Sequence, residues 1–173
     1  MLTAKLTFTL AARAAIDPIA TFQPSEGIEY LHSHDVNGTT LYYFGSPSNA
    51  ETPPPSQQLH KRCGGNAVTC YYSHTISKPP ACQSLLDSLK GSRVSLPKSP
   101  RSVCATSDGQ QCCVSWADVA NGITHGDLYT AGQKVYDQCI NNWVIKGSGL
   151  ARDVQLGSTC TTECVSNRAT GCR

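Results

Sequence analysis

Apolar positions recur along this chain with two spacings, one of a strand and one of a helix. Residues 28–44 run Ile-Glu-Tyr-Leu-His-Ser-His-Asp-Val, then Asn37-Gly38, then Thr-Thr-Leu-Tyr-Tyr-Phe. Asn-Gly between β-rich runs predicts a hairpin, because both central residues of its tight turn need positive φ. The run 67–72 predicts a short strand. From Ser77, the prolines at 79 and 80 suit the first turn of a helix. Cys82, Leu85, Leu86 and Leu89 then recur at i, i+3, i+4 and i+7 on one face, and Gly91 marks the stop. Ser102–Thr106 and Gln111–Ala117 predict a second hairpin across an Asp-Gly turn. Asp127 is expected to cap a second helix from Leu128 to about Asn142. Leu128, Ala131, Val135, Cys139 and Ile140 point inward there, and Gln133, Lys134, Asp137 and Asn141 outward. Residues 150–156 predict a last strand, and 159–172 a loop with a short extended piece.

The succession strand, helix, strand, strand, helix, strand predicts an α+β fold. Its form is a small, disulfide-rich two-layer sandwich, an antiparallel sheet with two helices on one face. A length of 173 residues excludes a barrel enzyme or a doubly wound nucleotide-binding fold with a substrate domain. A net charge of +2 is too small to point to nucleic acid. No apolar run is long enough to span a membrane.

The cysteines sharpen this picture. Cys63, Cys70, Cys82, Cys104, Cys112, Cys113, Cys139, Cys160, Cys164 and Cys172 all follow residue 62, and none precedes it. Such density in a short stretch is that of a disulfide scaffold in an oxidising compartment. Zinc is the competing use, but no C-x2-C pair occurs and Cys160-x3-Cys164 is the only close pair with a ligand-like spacing, so neither metal nor cofactor is expected. All ten cysteines are expected to be bridged. Cys82 and Cys139 each lie on the inner face of a helix and should staple it. Cys112 and Cys113 should bond partners on opposite faces of their strand. The pairing itself is not deducible.

The run Cys112-Cys-Val-Ser-Trp116-Ala-Asp118, then Gly126-Asp-Leu128, Ser148-Gly-Leu-Ala-Arg-Asp153 and Cys164-Val-Ser-Asn-Arg168 with Gly171-Cys172 resembles the WD-like domain family, small secreted cysteine-rich proteins of ascomycetes. That resemblance implies secretion and a cysteine-rich fold; it carries no reaction and no catalytic residues. No repeat at the period of a propeller blade is present. The architecture is also similar, at the level of fold, to the killer toxins of smut fungi and related secreted effectors.

Secretion organises the rest of the chain. Residues 1–14 form a weak signal peptide around a short apolar core. Residues 15–62 read as a pro-region, with the hairpin at 28–44 and a Pro-rich linker at 45–62. Residues 63–173 form the cysteine-rich domain. Lys61-Arg62, directly before Cys63, resembles a kexin-type maturation site. Asn37-Gly38-Thr39 is a glycosylation sequon on the expected turn.

Candidate chemistry is sparse. His74, His125, Arg152 and Glu163 are residue types that a small ribonuclease uses, although each also suits an ordinary loop or solvated position. Asp118 and Asp127 could pair for sugar cleavage, but the fold lacks walls for a cleft. Trp116 is expected in the core. The stretch 90–101 holds Lys90, Arg93, Lys98 and Arg101 with no acid, and with Trp143 it is the candidate partner surface. The expected function is that of a monomeric, extracellular binding protein without catalytic residues, effector- or toxin-like, meeting an acidic protein or cell-surface component. An inhibitor of a secreted hydrolase and a small secreted ribonuclease are the alternatives.

Overall fold

Asn37 and Gly38 both take positive φ, 50° and 81°, and turn strand β1 (Glu29–Val36) back as β2 (Thr39–Gly45). Asp108 and Gly109 do the same at 50° and 71°, between β4 (Pro100–Ser107) and β5 (Gln110–Trp116). Between the hairpins lie β3 (Ala67–Tyr71) and α1 (Pro80–Leu89); after them come α2 (His125–Val135), β6 (Ser148–Leu156) and β7 (Thr159–Ser166). This computed structural model describes residues 27–46, 63–77, 79–141 and 147–170. The seven strands form one sheet in the order β1-β2-β4-β5-β7-β6-β3, with every neighbouring pair antiparallel.

From β3 to β6 the elements follow the expected succession, but the fold is more sheet than the sequence suggested. The stretch expected as a loop after residue 159 is β7, which lies between β5 and β6. The first hairpin also belongs to the same sheet. Tyr42, Tyr43 and Phe44 of β2 lie opposite Cys104, Val103 and Ser102 of β4.

Successive side chains of a strand point to opposite faces, and β2 is buried on both. Leu41 and Tyr43 join the main apolar cluster with Leu85 and Leu89 of α1 and Leu128 and Val135 of α2. Tyr42 and Phe44 join a second cluster with Cys104, Cys113 and Ala169. Each such side chain contributes about 1.5–3 kcal/mol relative to exposure. The end of β2 lies so close to β4 that a Cβ at Gly45 would run into the Ser99 carbonyl.

The helices form where the periodicity places them. Cys82, Leu85, Leu86 and Leu89 of α1 are fully buried, and Gly91 follows at φ 66°. α2 begins at His125 rather than Leu128. Thr124 is its N-cap and Asp127 the third helical residue. Asp127 Oδ2 accepts from the Thr124 N–H at 2.7 Å and from its hydroxyl at 2.9 Å, which satisfies a donor at the helix start. Beyond Val135 the helix widens into a π-turn, Tyr136–Ile140, that keeps Cys139 and Ile140 buried.

Four bridges join these parts: Cys63–Cys160, Cys70–Cys139, Cys82–Cys112 and Cys104–Cys113. Cys164 is also disulfide-bonded, and Cys172 lies outside the described residues. Adjacent Cys112 and Cys113 tie opposite faces of β5, one to α1 and the other to β4. Cys70–Cys139 ties the π-turn to edge strand β3. The β1–β2 hairpin has no cysteine, and so no bridge.

Loop-closure entropy ranks the bridges. Cys70–Cys139 spans 69 residues and Cys104–Cys113 spans 9, which corresponds to about 4.4 and about 2.6 kcal/mol. Urea unfolding of the two Ser/Ser double variants should give losses in that order. Equal losses would show that loop closure does not set the ranking.

Candidate functional site

The four ribonuclease-type residues do not converge. His74 follows edge strand β3, where its carbonyl accepts from the Asn167 N–H at 3.2 Å. Burial and then Arg168 hold its imidazole below the usual pKa. Arg152 is exposed on β6. His125 lies at the other side of the sheet, against β2. Glu163, expected to be solvated, is fully buried on β7. The two candidate carboxylates are occupied by the fold: Asp127 accepts from the N-cap Thr124 of α2, and Asp118 accepts from the Thr161 hydroxyl at 2.8 Å. Trp116 is 3 % exposed and belongs to the core.

One buried polar contact joins three elements in a way the sequence did not single out. Tyr43 Oη lies 2.9 Å from His125 Nε2, and both residues are buried. Ser92 Oγ lies 3.4 Å from His125 Nδ1. His32 of β1 stacks on the Tyr43 ring, with centroids 4.3 Å apart and planes 11° apart. Burial pushes the Tyr43 phenol up to about 12. Burial, and then the charge of His34, holds the His125 imidazole below its usual value. Tyr43 and His125 therefore meet as neutral groups. The first N–H groups of α2 are used as well, since His125 donates to the Val94 carbonyl and Gly126 to that of Ser92, at 3.0 and 2.9 Å. The Ser92–His125 pair thus has no donors of that helix end left over for a reacting oxyanion, and it acts as a clamp between β2, the 92–96 loop and α2.

That clamp shapes the basic stretch. Leu96 is buried and donates its N–H to the Ile123 carbonyl at 2.8 Å. Arg93, Val94 and Lys98 are left exposed on a held loop. Lys90 Nζ lies 5.7 Å above the Tyr129 ring, a cation–π distance. Arg101 turns away, its Nε donating to the Trp116 carbonyl at 3.4 Å. The four cations therefore form no single cluster. Arg101 and Trp116 instead border a cavity of about 100 Å³ with Ile28, Ala169 and Thr170, smaller than the few hundred Å³ of a usual ligand pocket. Trp143, Lys61 and Arg62 lie outside the described residues. Asn37 is exposed at the hairpin turn.

A family model described as Fungal WD-like matches residues 30–172. The chain belongs to the fungal WD-like family. No curated protein and no solved structure matches it. The match starts within β1, so this WD-like domain includes the hairpin along with the cysteine-rich part. Among its described residues no group of three or more His, Cys, Asp or Glu is placed to hold a metal, and no helix is long and apolar enough to cross a membrane.

Glu163 is a second polar anomaly of the WD-like domain. Both carboxyl oxygens are buried without a hydrogen-bond partner. Burial pushes its pKa well up; the nearby Gly132 backbone pulls the other way, without reaching hydrogen-bond geometry. A Cβ at Gly132 would come within 3.2 Å of Glu163 Oε1, so α2 packs directly over the acid. Thr124-x-x-Asp127 was the signal that could have placed His125 at a helix start. The run Leu-Tyr-Tyr-Phe was the one that could have placed Tyr43 inside the sheet.

Two outcomes follow from the sign of these shifts. The folded state holds a proton on Glu163 that the unfolded state releases. That contribution is complete below the ordinary carboxyl pKa and fades as pH rises toward the folded value, by about tenfold in the folding equilibrium per unit. Glu163→Gln should therefore flatten the stability profile above the ordinary carboxyl pKa and raise the melting temperature most at the alkaline end. A parallel profile in the variant would refute a neutral acid. Tyr43→Phe should cost about 1–3 kcal/mol in denaturant titration, because it leaves His125 Nε2 buried without a partner.

Proposed function

We propose that this fungal WD-like protein is secreted and acts by binding, as an effector- or toxin-like factor. The observation that carries the reading is the distribution of its bridges. They fix a small sheet and two helices that would be costly to maintain with free thiols in a reducing cell. A rigid frame of this kind can present a loop at low entropic cost, and the loop it presents is 92–98, anchored by Leu96 and by the hydrogen bonds to α2. Arg93, Val94 and Lys98 offer two cations around an apolar side chain that is 47 % exposed. That surface suits an acidic partner, an acidic protein or an anionic cell-wall component. Maturation after Arg62 and glycosylation of Asn37 belong to the same reading.

The test has two parts. Intact mass and N-terminal sequencing of the non-reduced secreted protein should find a polypeptide beginning at Cys63 and no alkylatable thiol. Retention on an anionic-polysaccharide resin should weaken as salt rises, since exposed charges are screened over about 10 Å at 0.1 M. Arg93→Ser with Lys98→Ser should elute at clearly lower salt while melting at the parent temperature. Unchanged elution would remove the loop from the reading.

A further inference from the structure

The β1–β2 hairpin and the bridged body are joined in sequence only through residues 47–62, the stretch that ends in Lys61-Arg62. Every bridge lies on the body side. In space, however, the hairpin is built into the body. β2 pairs with β4 from Tyr42 to Gly45, and its side chains reach both apolar clusters. We propose that the edge of β4, together with His125, is an acceptor site for a β-hairpin, filled by residues 29–45 of this chain, which hold it without a covalent bond once the linker is cut and leave it in acid.

The proposal rests on the processing reading above for the cut, but the acceptor site rests on geometry alone. Hydrolysis of the peptide bond after Arg62 adds one water and leaves two chains. The first contains no cysteine, so it is retained without a disulfide, by the ladder to β4, the burial of Leu41, Tyr42, Tyr43 and Phe44, and the Tyr43–His125 hydrogen bond. This is strand addition at a sheet edge, where the backbone ladder gives affinity and alternate side chains give selectivity. An occupant needs a run that is apolar on both faces, an aromatic hydroxyl at the place of Tyr43, and a residue without Cβ at the place of Gly45, against the Ser99 carbonyl.

The acid sensitivity comes from what faces His125. Tyr43 of β2 lies on Nε2 and Ser92 of the loop on Nδ1. His32 of β1 stacks on Tyr43, and His34 of β1 acts on His125 by charge. On its own helix, the Asp127 carboxylate is taken up by Thr124. The imidazole stands at the first position of α2, where the helix end disfavours a cation. Protonation would thus place a positive charge on a buried imidazole with two exposed histidines of β1 on its outer side and, among the described contacts, no acid to pair with it. Leaving with β1 and β2, the hairpin lets His125 hydrate and carries His32 and His34 away from it. Retention is therefore full above the ordinary histidine pKa and falls as pH drops through and below it, by up to about thirtyfold in the dissociation constant from pH 7.5 to pH 5 for one such group.

The experiment uses the full chain with a specific protease site placed within 47–60 and cut in vitro, so that docking is read whether or not Lys61-Arg62 is cleaved in the cell. Gel filtration of the non-reduced, nicked protein should show the hairpin polypeptide co-eluting with the body at pH 7.5 and separating at pH 5, with the far-UV spectrum of the body retained. His125→Gln should keep the hairpin bound at pH 5. If that variant does not fold, His32→Gln with His34→Gln, both at exposed positions, should shift release to lower pH. Separation at pH 7.5 would overturn the acceptor site, and equal retention at both pH values would overturn the acid release. Absence of a natural cut after Arg62, with docking intact in the engineered form, would overturn the processing reading alone.

Discussion

The burial of β2 on both of its faces is the constraint that decides where the elements around it must stand. A strand with one wet face can sit at an edge; one with Leu41 and Tyr43 on one side and Tyr42 and Phe44 on the other must have a neighbour along each border and cover above and below. β1 and β4 supply the neighbours. α1 and α2 share the cluster on one side, and Ala169 and the Cys104–Cys113 bridge contribute on the other. The clamp at His125 follows from this arrangement, because Tyr43 carries a hydroxyl into the interior and a buried hydroxyl needs a partner.

Much of the local structure was legible in the chain. The Asn37-Gly38 and Asp108-Gly109 turns, the apolar face of α1 and the inward residues of α2 depend on neighbours a few positions away, and the structure agrees with each. What was not legible depends on distant pairing. The hairpin and β4 meet across more than fifty positions, and nothing in the spacing of either names the other. β7 was hidden by its polar letters: Thr161 and Glu163 are both buried, whereas a run with three threonines and an acid reads as wet. The start of α2 was misplaced because Asp127 suits either the cap or the third helical position, and only the contact with Thr124 decides between them. The candidate site fared worse for the same reason. His125 and Glu163 were visible as residue types, but their partners, Tyr43 and Gly132, come from other elements.

Two titrating groups give the domain opposed responses to acid. Glu163 lies between α2 and β7, within the bridged part, and favours folding where it keeps its proton. His125 lies at the contact with the hairpin and favours docking where it has none. A drop in pH thus tightens one region and loosens another instead of weakening the whole molecule evenly, a separation that requires unequal local stabilities.

The Cys63–Cys160 bridge has a consequence for resistance to trimming. Residue 63 is fastened to the beginning of β7, and the next residue, Gly64, donates its N–H to the Asp153 carbonyl at 2.6 Å. An aminopeptidase degrading the chain from any break upstream would trim a loose end until it reached a cross-linked half-cystine already engaged by the sheet. There it would stop, and a ragged population of ends would converge on one.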